Sequence, residues 1–168
     1  MKTPLAIVAT TTAAVALGAG AAPAETGHAA RLQKITRAGV GHVKLGATFG
    51  QLHSAGLIGP KRPGCELAEG TRVARLKAPL EGFVGFTVGK QRPRRVTDIT
   101  VTGGAAARGV APGDPKADVR KAFPKARFST FVGIHIARVP RSGGGRLMFV
   151  FENGHVASIG VPVVPFCE

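Results

Sequence analysis

The side chains whose types and spacing could do chemistry are mainly basic. Lys90, Arg92, Arg94 and Arg95 lie close together in a segment that the flanking strand patterns place in a hairpin loop. Lys and Arg bind carboxylates and phosphates through charge-assisted hydrogen bonds. The chain has 23 Lys and Arg against 9 Asp and Glu, a formal net charge of +14. We therefore expect these four residues to bind an anionic or acidic partner, although a solvated basic surface is the alternative.

No set of side chains has the spacing of a catalytic or metal site. A serine hydrolase carries its nucleophile on a sharp turn, and the motif Gly-X-Ser-X-Gly does not occur. The five histidines lack the spacing of metal ligands, and the carboxylates are scattered, whereas acid–base catalysis needs groups that converge. We therefore expect a protein that is not an enzyme, with no catalytic residue, cofactor or metal.

The first 24 residues have the features of a cleavable secretory signal. Lys2 gives a positive start, residues 5–18 are mostly apolar, and residues 22–24 place Ala-Pro-Ala at the expected cleavage point. The apolar stretch is short for a membrane span, which needs about 20 residues; an uncleaved anchor is the alternative. We expect a protein that is secreted or held in the cell envelope, with no transmembrane segment in the mature chain.

Cys65 and Cys167 are the only cysteines. In an exported chain an even number of cysteines predicts a disulfide, and two allow one intramolecular pairing. That bridge would close a loop of roughly 100 residues and stabilise the fold by about 4–5 kcal/mol on the chain-entropy model. An intermolecular bridge or two free thiols are the alternatives.

Export also narrows the partners that a basic protein meets. Outside the cytoplasm these are acidic proteins, anionic wall polymers and lipid head groups, so peripheral contact with a membrane is compatible with the sequence. Nucleic acid is disfavoured because export removes the usual target and the chain has no Trp or Tyr for base stacking. We expect the partner to be a protein or an anionic envelope polymer.

A short pattern occurs twice and predicts the elements that position these residues. Residues 43–46 (Val-Lys-Leu-Gly) are followed by five residues and then Leu52, and residues 110–113 (Val-Ala-Pro-Gly) are followed by five residues and then Val119. Each pattern predicts a strand or turn, a Gly and a short helix with apolar residues at helical spacing.

Capping signals define both predicted helices. Thr48 with Gln51 has the spacing of a capping box, in which each residue satisfies a free backbone N–H near the helix start. Asp114 is the predicted N-cap of the second helix, with Pro115 at its first helical position and Pro124 at its end.

Strand patterns follow each helix, at about 72–76, 83–88, 95–102, 128–139, 146–151 and 155–161. Asn153-Gly154 is a strong hairpin signal because both central residues of a type I′ turn have positive φ. The predicted fold is therefore α+β, with two tandem units that each contain a short helix followed by an antiparallel β-meander. The units span about 39–103 and 104–168 in a single domain (39–168), with a hinge at 103–107 and a flexible lead-in at 25–38.

The repeated pattern of an apolar residue, two positions, Gly and a later apolar helix residue resembles the BamE/SmpA-like outer-membrane assembly lipoproteins, which have one such unit. A tandem pair in an exported chain resembles the β-lactamase inhibitor protein family, over residues of about 40–168. That resemblance implies two helix-plus-sheet repeats whose concave face grips an enzyme. The family's gripping surface is rich in aromatic residues and each repeat has its own disulfide, whereas this chain has no Trp or Tyr and two cysteines. No inhibitory residue is therefore carried over.

Charge, export and the missing catalytic groups together indicate an exported, non-catalytic binding protein for an anionic or acidic extracellular or cell-envelope partner. An inhibitor of a secreted hydrolase is the alternative that the resemblance implies. An envelope assembly or structural factor is the third, and it is disfavoured because no Cys near the predicted cleavage point could carry a lipid.

Overall fold

The computed structural model describes residues 32–65, 70–88, 93–140 and 146–166, which form twelve strands and two helices. Up to the middle of the chain the elements are β1 (Gln33–Thr36), β2 (Gly39–Val40), β3 (Val43–Lys44), α1 (Phe49–Ser54), β4 (Ile58–Pro63), β5 (Arg72–Leu76), β6 (Glu81–Phe86) and β7 (Val96–Gly103). They are followed by β8 (Ala105–Ala106), α2 (Lys116–Ala122), β9 (Arg127–Phe131), β10 (Ile134–Val139), β11 (Leu147–Glu152) and β12 (His155–Val161). The predicted signal (1–24) lies outside the described residues.

Eight strands form one antiparallel sheet in the order β4-β5-β6-β7-β12-β11-β10-β9. The two runs of consecutive strands meet at the centre, where β7 pairs with β12 and Val101 lies opposite Ile159. Alternate residues along these strands point to one buried face, as Val84 and Phe86 do on β6. The outer edges of this sheet are β4 and β9.

The other four strands form a small sheet in the order β3-β2-β1-β8. β1 pairs in parallel with β8, so Gln33 lies opposite Ala105, and this pairing holds the start of the described chain against its middle. The close approach of β2 to β3 requires a glycine. At Gly39, which has φ +147°, a Cβ atom would lie 2.0 Å from the carbonyl oxygen of Val43.

The two helices are short and begin differently. The capping box of α1 is confirmed, because Thr48 Oγ1 accepts from the Gln51 N–H at 3.3 Å and Gln51 Oε1 accepts from the Thr48 N–H at 2.9 Å. The N-cap predicted for α2 is wrong by one residue. Pro115 is the N-cap and makes no side-chain cap hydrogen bond, while Asp114 Oδ2 accepts from the Ala111 N–H at 2.8 Å in the preceding turn.

One hydrophobic core joins both sheets and both helices. Leu52 of α1, Ile99 of β7 and Phe149 of β11 all belong to the same buried cluster. The ring centroids of Phe123 and Phe149 lie 5.2 Å apart and connect the end of α2 to β11 of the large sheet. Burial of this apolar surface is the main driving force for folding.

The predicted fold class, α+β with two helix-plus-meander units, is wrong. Strands make up 52% of the described residues and helices 11%, so the protein is mostly β, with sheets of four and eight strands. The helices are short because Gly56 (φ +71°) follows α1 and Pro124 follows α2. The small sheet was not predicted, because its strands have two to four residues and its β1–β8 pairing joins segments that are distant in sequence.

Other boundaries also differ from the prediction. The lead-in predicted for residues 25–38 contains β1 at its end, where Ile35 is buried, and residues 25–31 lie outside the described residues. The predicted hinge at 103–107 contains β8. The strand predicted at 128–139 is a hairpin, because Val132 (φ +46°) and Gly133 (φ +77°) form a two-residue turn. The Asn153-Gly154 turn is confirmed, with φ values of +50° and +80°.

After β12 the chain turns back onto the large sheet. A Cβ atom at Gly160 would lie 2.3 Å from the Val163 carbonyl carbon, so this close approach requires a glycine. The Phe166 ring then lies 5.8 Å from the ring of Phe131 on β9. Cys65 is not a free thiol, whereas Cys167 lies outside the described residues, so the disulfide between them stays a prediction.

Candidate functional site

The four basic residues predicted to bind a partner do not form a described site. Lys90 and Arg92 lie outside the described residues. Arg94 is half-buried, and its Nη1 donates to the carbonyl oxygens of Gly70 and Thr87 at 3.0 and 2.8 Å. Arg95 Nη1 donates to the Gly46 carbonyl oxygen at 2.9 Å. Both guanidinium groups therefore help to hold loops together.

A different set of cations meets at an open groove of about 1030 Å³. The groove lies among β1 and the turn after it, the 107–108 turn, the end of α2 and the ends of β10 and β11 that face them. We call it the basic groove, and its charged side chains are Lys34, Arg37, Arg108, Lys125 and Arg146. All five residues are exposed, and no Asp or Glu of the described chain lines the groove.

Buried apolar side chains support the groove. Ile35 from β1, Phe123 from the end of α2 and Leu147 from β11 line it, and each is less than 10% exposed. Because these three belong to the hydrophobic core, the surface beneath the cations is rigid. The charges are thus held in place by the fold as a whole.

The turn between β1 and β2 positions Arg37. Thr36 Oγ1 donates to the Gly39 carbonyl oxygen at 3.1 Å and accepts from the Ala38 N–H at 3.3 Å. Lys34 lies on β1, opposite Ala106 in the parallel pair. These local bonds place two cations on one wall of the basic groove.

Arg108 is held in a turn that follows β8, the strand paired with β1. It has φ +49° and is followed by Gly109, while Ala107 and Val110 exchange backbone hydrogen bonds of 2.8 and 3.0 Å. Its guanidinium group lies 5.4 Å from the centre of the Phe123 ring, and its Nη1 donates to the Ala122 carbonyl oxygen at 3.3 Å. A cation is favourable both above an aromatic ring and at a helix C-terminus. A non-glycine residue with positive φ is uncommon and is concentrated at functional sites.

The positive surface continues beside the groove. A smaller cleft of about 210 Å³ shares Val139, Pro140 and Arg146 with it and adds Arg127 and Arg138. Those two arginines lie directly opposite each other on β9 and β10. Like charges in directly opposed positions destabilise a sheet, so an anion bound between them would relieve repulsion.

Carboxylates are elsewhere and do not form a reactive group. Asp98 lies on β7, where burial raises its pKa and hydrogen bonds from the Thr97 hydroxyl and the Gly85 N–H partly offset the rise. Within the described ranges no group of three or more His, Cys, Asp or Glu could hold a metal ion. Three of the described histidines, His53, His135 and His155, make local contacts; His53, for example, stacks on Phe49 at 5.1 Å.

The sequence carried little signal for the basic groove. Its five cations span residues 34 to 146 and come from four separate segments, so no spacing rule connects the whole set. The one local signal was Arg108-Gly109, because Gly favours the second position of a type I′ turn. The groove can bind anions through charge and hydrogen bonds.

Searches of family models, curated proteins and solved structures found no match to this chain. The resemblance to the β-lactamase inhibitor protein family and to the BamE/SmpA-like lipoproteins therefore stays a prediction. No helix within the described residues has the length and hydropathy to cross a membrane.

Proposed function

We propose that this protein is an exported, non-catalytic binding protein that recognises an anionic partner through the basic groove. One observation carries the proposal: five exposed Lys and Arg side chains from four chain segments meet at one groove that no described carboxylate lines. A fold that brings distant cations together without counter-charges creates a local positive potential, which attracts anions and speeds their association.

The chemistry of the groove supports an acidic protein or an anionic envelope polymer as the partner. Exposed cations on a rigid surface gain little from isolated contacts in water, but several acting together on one polyanion add up. Anionic lipid head groups present the same kind of charge, so vesicles are included among the probes.

A charge-matched pair of triple variants tests this proposal. The groove variant combines Lys34→Gln, Arg37→Gln and Lys125→Gln, three exposed residues whose side chains make no described hydrogen bond. The control variant combines three exposed cations that do not line the groove: Arg75→Gln, Lys77→Gln and Lys121→Gln. Each variant loses three positive charges, so a difference between them reports position and not net charge.

Binding is measured at low and high salt with polyglutamate, polyphosphate and phosphatidylglycerol vesicles as probes. A cation near an anionic surface contributes about 1 kcal/mol, so the groove variant should bind on the order of 100-fold more weakly at low salt. The control variant should stay within a few-fold of the unmodified protein. Equal losses in the two variants, or binding that high salt does not weaken, would contradict the proposal.

A further inference from the structure

The two edges of the large sheet differ in how they are protected. β4 contains Pro60 and Pro63, which lack an N–H, and its register with β5 shifts between Ile58 and Lys61. Proline, charge and irregular register are the devices by which proteins prevent an edge strand from pairing further. β9 has the sequence Arg-Phe-Ser-Thr-Phe, with no proline, and pairs regularly with β10 along its whole length. Neither proline nor a register shift therefore blocks this edge, and its positive charge would repel cationic strands but attract acidic ones.

The outward-facing backbone groups of β9 follow from its hairpin. A two-residue turn makes Phe131 and Ile134 a hydrogen-bonded pair, and such pairs alternate with non-hydrogen-bonded ones along an antiparallel ladder. Phe128 and Thr130 are therefore the residues whose N–H and C=O groups point away from β10. Within the described part of the chain, no backbone group outside the ladder bonds to them.

Positive charge surrounds this edge. Lys116 Nζ and the Arg120 guanidinium of α2 lie 5.3 and 5.0 Å from the centre of the Phe128 ring, and the opposed pair of Arg127 and Arg138 lies at the start of the strand. Neither β9 nor β10 contains an Asp or Glu. Arg127 and Arg138 also line the cleft that continues from the basic groove, so the edge and the groove form one positive surface.

The far end of the hairpin is apolar and strained. Val132, at the tip, is 74% exposed and has φ +46°, a conformation that a β-branched residue rarely adopts. Phe131 beside it is 39% exposed. An exposed apolar side chain in an unfavourable conformation contributes little to folding, which is typical of a residue that contacts a partner.

We propose that β9 binds an extended acidic segment of a partner protein by strand addition. The segment pairs with the outward N–H and C=O groups of Phe128 and Thr130, and its carboxylates lie near Arg127 and Arg138. Backbone hydrogen bonds would supply affinity and the charges would supply selectivity, as in other edge-strand complexes. A second copy of this chain is a poorer occupant, because each copy carries a formal net charge of +14. This inference rests on the proposed function and identifies the class of partner.

Two substitutions at Thr130 test the pairing. Thr130→Pro removes an outward N–H and leaves the bonds to β10 in place, because proline is tolerated on an edge strand where its nitrogen faces solvent. Thr130→Ala keeps the N–H and is the matched control, since both variants lose the 3.1 Å contact between Thr130 Oγ1 and His135 Nδ1.

The probes are fluorescent ten-residue peptides of alternating Glu and Val or alternating Glu and Pro. Both carry the same charge, but the Glu-Pro peptide cannot form a regular strand. Fluorescence anisotropy should show that the unmodified protein and Thr130→Ala bind the Glu-Val peptide at least about tenfold more tightly than the Glu-Pro peptide. Thr130→Pro should lose this preference. Amide hydrogen exchange on the unmodified protein should show protection of Phe128 and Thr130 with the Glu-Val peptide only.

The outcomes separate this inference from the proposed function. If both peptides bind equally well, or Thr130→Pro keeps the preference, strand addition is wrong while anion binding through the groove stands. If neither peptide nor any anionic polymer binds at low salt, the proposed function itself fails. Sedimentation tests whether a second copy of this chain occupies β9. If the protein is a dimer, if Thr130→Pro makes it a monomer and if the Glu-Val peptide does not dissociate the dimer, the occupant is a second copy and the inference is overturned. The exchange measurement decides the question if Thr130→Pro does not fold.

Discussion

Exchanging the residues of two hairpin turns should move stability in opposite directions. The β9–β10 and β11–β12 turns have nearly the same geometry, with φ values of +46° and +77° at Val132-Gly133 and +50° and +80° at Asn153-Gly154. Asn tolerates positive φ because its short polar side chain bonds locally, whereas a β-branched residue clashes with its own backbone. We therefore expect Val132→Asn to stabilise the protein and Asn153→Val to destabilise it.

The magnitude follows from conformation and exposure. A non-glycine residue with positive φ costs about 1–3 kcal/mol. Val132 is 74% exposed, so the apolar burial lost with it is about a quarter of a full valine, or roughly 0.4–0.8 kcal/mol. The net gain for Val132→Asn should be about 1 kcal/mol, which raises the Tm of a domain of this size by about 3–4 °C. Asn153→Val should lower the free energy of unfolding by a similar amount. Only the turn conformation changes, because His155 Nδ1 bonds to the backbone oxygen of residue 153 and this bond can remain.

Urea denaturation followed by far-UV circular dichroism measures both changes, since the chain has no Trp or Tyr for intrinsic fluorescence. If Val132→Asn is no more stable than the unmodified protein while Asn153→Val is destabilised, Val132 makes contacts that compensate for its conformation, and the reasoning from turn geometry is wrong. If strand addition at β9 is correct, Val132→Asn should also weaken binding of the Glu-Val peptide although it stabilises the fold. That combination would distinguish a binding residue from a defect of the turn.

Three further predictions concern the fold. Burial raises the pKa of Asp98 above its usual value near 3.8, so the folded state binds this proton more tightly than the unfolded state does. The unmodified protein therefore loses stability as pH rises from the unfolded-state pKa of Asp98 through its folded-state pKa. Urea denaturation should show that Asp98→Asn is more stable than the unmodified protein near neutral pH, and that the difference between the two proteins becomes smaller in acid. Thr48→Ala should lower the free energy of unfolding by about 1 kcal/mol through loss of the capping box, and a loss below a few tenths of a kcal/mol would refute a role for the cap. Phe149→Ala, at a fully buried side chain that contacts Phe123, should cost about 3–5 kcal/mol by calorimetry, and a smaller loss would mean that the core refills the cavity.

Local signals in the sequence predicted local structure. The Thr48–Gln51 capping box and the Asn153-Gly154 turn were both correct, because each depends on residues within a few positions of one another. The Val132-Gly133 turn was overlooked because valine is not a turn residue, so two strands were predicted as one. β4 was overlooked because Pro60 and Pro63 argue against a strand, although an edge strand tolerates them.

Long-range pairing decided what the sequence could not predict. The small sheet depends on the parallel pair of Gln33 with Ala105, and no local pattern indicates which distant segments will meet. The fold class was wrong in part for this reason, since the short strands of the small sheet added to the strand content while the helices stayed short. The basic groove was missed in the same way. High positive charge was evident from composition, but the density of Lys and Arg around Arg94 pointed to a loop whose arginines hold backbone carbonyls.

The parallel pairing of β1 with β8 also determines when the basic groove can exist during folding. Lys34 reaches its place only after Gln33 has paired with Ala105, and Arg146 arrives later still along the chain. Closing loops of this length is slow compared with forming hairpins such as β11–β12. The groove is therefore complete only when segments spread from residue 34 to residue 146 have met, and a nascent or cleaved chain that ends before Arg146 lacks one of its cations. An anionic partner would therefore bind the folded protein and not the unfolded chain, and its binding would stabilise the pairing of β1 with β8.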